Sequence, residues 1–211
     1  MKIAFFSESI ADESALKVLV AGILNEEIED TNLPNRLEYR SSSHLDKNLP
    51  IVIAAVHYNS DAEILVVVSD SDDTIVHTKR HEELSEEKCR LCQLQKATDY
   101  AVSKLQQVVG KPTLRVAVGV PVPAIEAWYL CGVNAQVSEA AWIRKQTGER
   151  ISYDRKSLKI QLYGNDRPPM KVLTEKAVES AQRLINEIEQ LEQMFPEGFG
   201  VFANKLRSWK H

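Results

Sequence analysis

The sequence predicts an α/β protein in which a mostly parallel central sheet is flanked by helices. Segments of strand character alternate with segments of helical periodicity. The strongest strand, "ILVVV" at 64–68, is apolar on both faces, as buried parallel strands usually are. The 211 residues are 44% apolar and 27% charged, which is ordinary for a soluble globular chain with one good core. We therefore expect one domain over residues 1–211, with a helical C-terminal extension.

The individual elements follow from periodicity and from helix-start signals. Ser9, with Asp12 three residues later, predicts a helix that is capped at Ser9. The segment 48–59 has strand-like β-branched residues, but also a Pro placed as in a first helical turn. We interpret it as a helix, because two parallel strands need a crossover between them. The predicted strands are 2–7, 36–41, 63–69 and 113–120, and the predicted helices are 9–29, 48–59, 83–109, 138–146, 155–163, 171–193 and 199–208, with a short helix within 121–132.

Acidic residues follow three of the predicted strands. Glu8 comes directly after the first strand, Asp70, Asp72 and Asp73 after the central strand, and Glu126 soon after the last one. Because the carboxyl ends of parallel strands meet at one edge of a sheet, we expect these side chains to converge there. Clustered carboxylates take up protons or bind a cation, and oxygen ligands suit Mg²⁺ or Mn²⁺. The alternative is that 70–73 forms only a polar turn.

This arrangement resembles the Toprim domain of topoisomerases, primases and OLD-type nucleases. That domain has a Glu just after its first strand and a DxD after a later strand. The matching residues are Glu8 in "FFSESIADES" and Asp70 and Asp72 in "VVVSDSDDT". The segment "VPVPAIEAWYL", with Glu126 and Trp128, is similar to a Glu-x-Trp segment in a bacterial branch of the Toprim superfamily.

The resemblance covers roughly residues 1–131 as a Toprim-like or Rossmann-like core and leaves 132–211 as the helical extension. The chain departs from the family at Ser9, because Toprim proteins usually have Gly after the first Glu. A Gly would allow the backbone to approach a phosphate closely, whereas Ser9 can cap the helix instead. Metal binding is therefore compatible with this sequence, and close phosphate approach at Ser9 is less favoured.

The resemblance implies a Mg²⁺-dependent phosphodiesterase or nuclease that acts on DNA or RNA. Glu8, Asp70 and Asp72 would bind the metal, and Asp73 or Glu126 would help to place a second ion or a water. Some relatives of the Glu-x-Trp branch are linked to phage defence, so a role in phage defence or in a toxin-type system is expected.

Two other functions remain open. A catalytically inactive Toprim-like interaction module of a defence complex is favoured by the missing Gly and by the net charge of −4. A DxD-type transferase that binds a nucleotide through Mn²⁺ is the third reading, but it leaves Glu8 without a role.

Basic residues are concentrated in the segment 144–176. Nine Lys or Arg and four Asp or Glu give this segment a charge of +5, so the remainder of the chain carries −9. Such a segment can follow a phosphate backbone, and Arg155, Lys156 and Lys159 are the candidate nucleic-acid contacts. A solvated helical surface is the simpler interpretation of the same charges.

The cysteines and histidines carry a weaker signal. Three cysteines, an odd number, argue against a disulfide framework and for a reducing cytoplasm. Cys89 and Cys92 lie in a helical pattern and are interpreted as packing residues, because a second ligand pair at zinc-site spacing is not evident. His77 and His81 are i, i+4 neighbours and are interpreted as part of a solvated loop. No apolar window approaches the ~18 residues that a membrane span needs.

Overall fold

The computed structural model describes residues 1–31, 33, 42–83 and 86–210, and this part of the chain forms one parallel sheet with helices on both faces. The strands are β1 Lys2–Phe6, β2 Glu29–Asp30, β3 Ile64–Val68 and β4 Arg115–Gly119. The helices are α1 Ile10–Leu24, α2 Ser42–Asn59, α3 Arg80–Glu83, α4 Arg90–Ser103, α5 Ile125–Tyr129, α6 Glu139–Gln146, α7 Arg155–Tyr163, α8 Met170–Leu184, α9 Ile188–Met194 and α10 Val201–Arg207, with a π-helical turn, Pro196–Gly200, between α9 and α10.

The sheet has the strand order β2-β1-β3-β4, and every pair is parallel. The register pairs Phe6 with Val67 and Val67 with Val118, so β1, β3 and β4 end at the same level. The predicted α/β class, with a parallel sheet flanked by helices and a helical C-terminal part, is confirmed. The loops that carry Glu8, the DxD segment and Glu126 therefore leave the sheet at one edge.

Alternating side chains of the strands feed two cores. Ile3 and Phe5 of β1 face the same core as α1 and α8, whereas Ala4 and Phe6 face the core that contains α2 and α4. β3 alternates in the same way and is buried at all five positions. Burial on both faces accounts for the continuous apolar run in this strand.

Several element boundaries differ from the sequence prediction. α1 ends at Leu24 rather than near 29, because Asn25 adopts the left-handed conformation (φ 49°) that Asn tolerates and that stops a helix. The next two strand residues are Glu29 and Asp30, while the predicted strand 36–41 lies outside the described residues. The predicted helix 83–109 is shorter and begins at Arg90, with α3 as a separate turn before it.

The helical interpretation of 48–59 is confirmed, but its predicted start is wrong. α2 already begins at Ser42, so Pro50 lies inside the helix instead of in its first turn. An interior Pro costs about 3 kcal/mol through the lost hydrogen bond and ring clash. Burial of an apolar side chain returns about 1.5–3 kcal/mol, and α2 has several of them, so packing outweighs the Pro. The buried side chains are Leu49, Val52, Ile53 and Val56.

The helices after residue 131 pack in the same hydrophobic core as Ile3 and Phe5 of β1. α8 packs along α1, and α10 packs on α1 and β4. Trp128 of α5 is fully buried against Phe199 (ring centroids 5.1 Å apart) and Phe202 (6.3 Å). No helix in the described ranges is long and apolar enough to cross a membrane.

Glu139 is a buried carboxylate that links α6 to the π-helical turn. Its Oε2 accepts hydrogen bonds from the backbone N–H groups of Glu197 and Gly198, both 3.2 Å away. Gly198 is itself tightly packed, because an added Cβ would lie 2.4 Å from the Val120 carbonyl oxygen. Burial raises the pKa of Glu139 to about 7, although the two backbone hydrogen bonds act in the opposite direction.

We expect Glu139→Gln to flatten part of the pH dependence of stability. Because the folded-state pKa lies above the unfolded value, the proton on Glu139 stabilises the fold at low pH, and this contribution is lost as pH rises from about 4.5 through about 7. The variant cannot ionise, so thermal unfolding should show its stability relative to the parent rising by up to about 3 kcal/mol between about pH 5 and pH 8. The control, Glu189→Gln at an exposed position of α9, should follow the parent profile. Parallel profiles for Glu139→Gln and the parent would contradict the assignment.

Candidate functional site

The loops after β3 and β4 are hydrogen-bonded to each other at the carboxyl edge of the sheet. The Ser71 N–H donates to the Pro121 carbonyl (2.9 Å), and the Asp72 N–H donates to the Pro123 carbonyl (3.0 Å). Asp72 adopts a left-handed conformation (φ 52°), which Asp tolerates better than most residues. These bonds fix the DxD segment next to the start of α5.

Glu8 lies directly against the DxD loop, as the parallel topology predicts. Its Oε1 accepts hydrogen bonds from the Ser69 hydroxyl and from the Asp70 backbone N–H, each 3.0 Å long. Burial raises the pKa of Glu8, and the two hydrogen bonds oppose that rise. Glu8 and the DxD segment therefore form one acidic cluster.

Asp70 is the acid of this cluster that contacts both α5 and α7. Its Oδ1 accepts the Ile125 N–H at 2.9 Å, and its Oδ2 accepts a hydrogen bond from Nη2 of Arg155 at 3.2 Å. Burial raises the pKa of Asp70 well above its ordinary value, and the negative charges of Glu8, Glu126 and Asp12 add to the effect. The Arg155 guanidinium acts in the opposite direction.

Arg155 bridges the two aspartates of the DxD segment. It pairs with Asp70 and with Asp72, whose other carboxylate oxygen lies 3.7 Å from Nη2 of Arg90. Arg155 is the first residue of α7, where a capping box between Asp154 and Ser157 fixes the helix start. Arg155 was predicted as a nucleic-acid contact, and in the structure its guanidinium is bonded to the acidic cluster.

Glu126 joins the cluster from α5. It is buried, and its Oε1 lies 3.8 Å from Nζ of Lys159, one helical turn after Arg155. Its Oε2 is also buried but has no hydrogen-bond partner within the described residues. Burial raises the pKa of Glu126, while the positive charges of Lys159 and Arg155 lower it. An ionisable oxygen that is buried without a partner is costly and marks a functional candidate.

Asp12 is the member of the cluster that sequence reasoning did not assign to the site. It accepts a hydrogen bond from the Ser9 hydroxyl (2.6 Å), and the Tyr129 hydroxyl lies 3.5 Å from its Oδ1. Burial raises its pKa to about 7, and Glu126 and Glu8 contribute to the rise. Ser9 caps α1 as predicted, and the sequence therefore indicates only a capping role for Asp12. The sequence signal for a place in the acidic cluster is that Asp12 lies four residues after Glu8.

Asp73 and Lys156 lie apart from these contacts. Asp73 is exposed and makes no hydrogen bond or ion pair with the described part of the chain. Lys156 is exposed and pairs with Asp166 at 3.2 Å. Most other basic side chains of 144–176 also have acidic or aromatic partners: Arg144 with Glu149, Lys145 over Trp142, Lys171 with Glu175 and Lys176 with Glu179. The basic segment is therefore largely neutralised within the protein.

The acidic cluster contains more carboxyl groups than cations. The carboxylates are Glu8, Asp12, Asp70, Asp72 and Glu126, and the cations paired with them are Arg90, Arg155 and Lys159. The carboxylates do not form a preformed metal-ligand set, because Arg155 forms ion pairs with both aspartates of the DxD segment. The oxygen-only donors are the kind that a hard divalent cation binds.

A second cluster, of histidines and cysteines, corrects two sequence interpretations. His77, His81, Cys89 and Cys92 have ligand atoms that all lie within 4.8 Å of one another. It is the only group of three or more His, Cys, Asp or Glu side chains in the described ranges that is packed closely enough to hold a metal ion. His77 is buried rather than solvated, and the two cysteines face it rather than only packing in a helix.

The sequence contains both ligand pairs of this cluster, but as two separate motifs. His-x-x-x-His and Cys-x-x-Cys are each common ligand pairs, and they are separated by only seven residues. The two motifs are interpreted separately, because nothing in the sequence shows that the two pairs lie side by side in the fold.

The chain matches no protein-family model, no curated protein and no solved structure. The resemblance to the Toprim superfamily therefore stays a prediction from the Glu and DxD motifs.

Proposed function

We propose that the acidic cluster is the active site of a Mg²⁺- or Mn²⁺-dependent phosphodiesterase that cleaves DNA or RNA. The observation that carries the proposal is the convergence of acids from the loops after β1, β3 and β4, with one buried oxygen of Glu126 left without a partner. The Toprim-like motifs add the expectation of a role in phage defence or in a toxin-type system.

The oxygen donors suit a divalent cation in kind, but they are spaced more widely than a ligand set, so the side chains would have to move together to bind one. Burial and mutual repulsion raise the pKa of Asp70, and a bound cation would relieve both. Glu8, Asp70 and Asp72 would hold the ion, with Glu126 supplying a further oxygen. When bound, such an ion polarises a phosphoryl group and stabilises the leaving oxygen.

The remaining residues have roles that their contacts support. Asp12, whose pKa burial raises to about 7, can give or take a proton near neutral pH. Arg155 and Lys159 lie on one face of α7 beside the acids and can contact a phosphate, whereas Lys156 points to solvent. Specificity for DNA or RNA would depend on surfaces outside this cluster.

A catalytically inactive interaction module is the second candidate. The ion pairs of Arg155 with Asp70 and Asp72 favour this candidate, because the guanidinium would supply the positive charge that a metal ion supplies in an enzyme. The net charge of −4 and the internal pairing of the basic segment also favour a protein partner over a polyanion.

Incubation with Mg²⁺ or Mn²⁺ should produce cleavage of at least one class of nucleic acid. The purified chain would be tested on single- and double-stranded DNA and on RNA, with labelled 5′ and 3′ ends to locate the broken bond. Chelator and Ca²⁺ are the controls, since Ca²⁺ binds oxygen ligands but prefers a looser geometry. Absence of cleavage for every substrate with both ions would favour the interaction module.

A further inference from the structure

We propose that His77, His81, Cys89 and Cys92 form a structural zinc site. The Sγ atoms of Cys89 and Cys92 lie 3.6 and 3.5 Å from Nδ1 of His77. All four ligand atoms lie within 4.8 Å of one another, and His77 and both cysteines are buried. This proposal is independent of the function proposed for the acidic cluster.

The distances agree with tetrahedral zinc coordination. Zn–S bonds of about 2.3 Å and Zn–N bonds of about 2.0 Å at the tetrahedral angle place sulfur and nitrogen about 3.5 Å apart. Both observed sulfur–nitrogen distances have this value within 0.1 Å. Hydrogen bonding is a poorer explanation, because one imidazole nitrogen is either a single donor or a single acceptor and cannot bond equally well to two sulfur atoms.

The donor set identifies the class of metal. Two thiolates and two imidazoles in a closed set are typical of structural zinc, whereas Mg²⁺ requires oxygen ligands. Nδ1 of His81 is buried and has no hydrogen-bond partner in the described ranges, so this nitrogen is an unsatisfied polar atom. The site is thus chemically distinct from the acidic cluster.

Both ligand pairs lie close to the start of a helix. The His81 N–H donates to the Thr78 carbonyl (2.8 Å) and closes a turn, and α3 starts at Arg80. Cys89 is the N-cap residue of α4 but its side chain makes no capping hydrogen bond, which leaves the sulfur available as a ligand. Cys92 lies one turn into α4 on the same side.

The position of the site gives zinc a specific structural role. The Ile75 N–H donates to the Lys88 carbonyl (3.1 Å), so the segment after the DxD loop runs beside the start of α4. Arg90 follows Cys89 directly and reaches Asp72. A metal bound by both ligand pairs fastens this segment to α4 and so holds Arg90 beside Asp72.

Metal content and spectroscopy test the site directly. Protein purified without metal-affinity resin should contain one zinc ion per chain by elemental analysis. Exchange for Co²⁺ should give visible d–d bands of tetrahedral cobalt and near-ultraviolet thiolate-to-cobalt charge transfer. Cys92→Ser should lose most of the zinc and the charge-transfer band. Cys131→Ser, which changes a buried cysteine just after α5, should retain both.

A second measurement keeps the test valid if Cys92→Ser fails to fold. Titration of the parent chain with a mercurial should release zinc, detected by a metallochromic dye, in step with modification of two thiols. Zinc removal should lower the midpoint of thermal unfolding by roughly 10 °C or more. A chain that is isolated without zinc and takes none up, or cobalt spectra without a thiolate band, would overturn the proposal whatever the nuclease assay shows.

Discussion

Asp70→Asn should reduce the Mg²⁺-dependent cleavage rate by about a thousandfold or more. The side chain lies at the centre of the acidic cluster, in contact with the Ile125 N–H and with Arg155. The substitution keeps its shape and one acceptor but removes the charge that would hold a cation and oppose the charge of Arg155. Initial rates at saturating Mg²⁺, with the substrate found most active, measure the effect.

The matched control for Asp70→Asn is Asp99→Asn, an exposed aspartate of α4 outside the cluster. It removes the same charge and should leave the rate within about twofold of the parent, as surface substitutions usually do. Circular dichroism and thermal unfolding of both variants separate lost chemistry from lost fold. If Asp70→Asn retained more than about a tenth of the parent rate, the DxD segment would not be the catalytic centre.

Arg155→Met should destabilise the metal-free protein by about 3 kcal/mol. Breaking a buried ion pair from one side costs about 3–5 kcal/mol, and the partial exposure of the Arg155 side chain (37%) places the effect at the lower end. For a chain of this length that energy lowers the thermal midpoint by about 6–12 °C. The measurement is thermal unfolding near pH 8 in the presence of chelator.

Two further observations separate the charge effect of Arg155→Met from lost packing. The defect should shrink near pH 5, because the pKa of Asp70 is already raised by burial and the protonated acid needs no cation. Added Mg²⁺ should recover much of the lost stability if the cluster accepts a divalent cation. Arg167→Met, an exposed change outside the cluster, is the control. A defect that is unaffected by both pH and Mg²⁺ would show that packing alone is responsible.

Where strong local signals exist, the sequence predicted the fold closely. The helix predicted at 155–163 has those bounds in the structure, because Asp154 caps its start and Gly164 ends it in a left-handed conformation. β2 could not be predicted at Glu29–Asp30, because two exposed polar residues have no strand pattern. That strand exists only through its pairing with Lys2 and Ile3.

The acidic cluster was partly predictable for a similar reason. Parallel strands bring their following loops to one edge, so the approach of Glu8 to Asp70 follows from topology alone. The ion pair between Arg155 and Asp70 joins residues 85 positions apart and depends on how α7 docks against the edge. The His–Cys cluster similarly depends on the path between α3 and α4. Packing of this kind has no local sequence signature.

The core shared by β1 and α10 has a consequence for biosynthesis. Phe202 and Leu206 pack in the same core as Ile3 and Phe5, so β1 waits during synthesis for partners translated about two hundred residues later. Contacts of such long sequence separation close slowly. Until the C-terminal helices are made, part of this apolar core stays exposed, and exposed apolar surface of this kind favours aggregation.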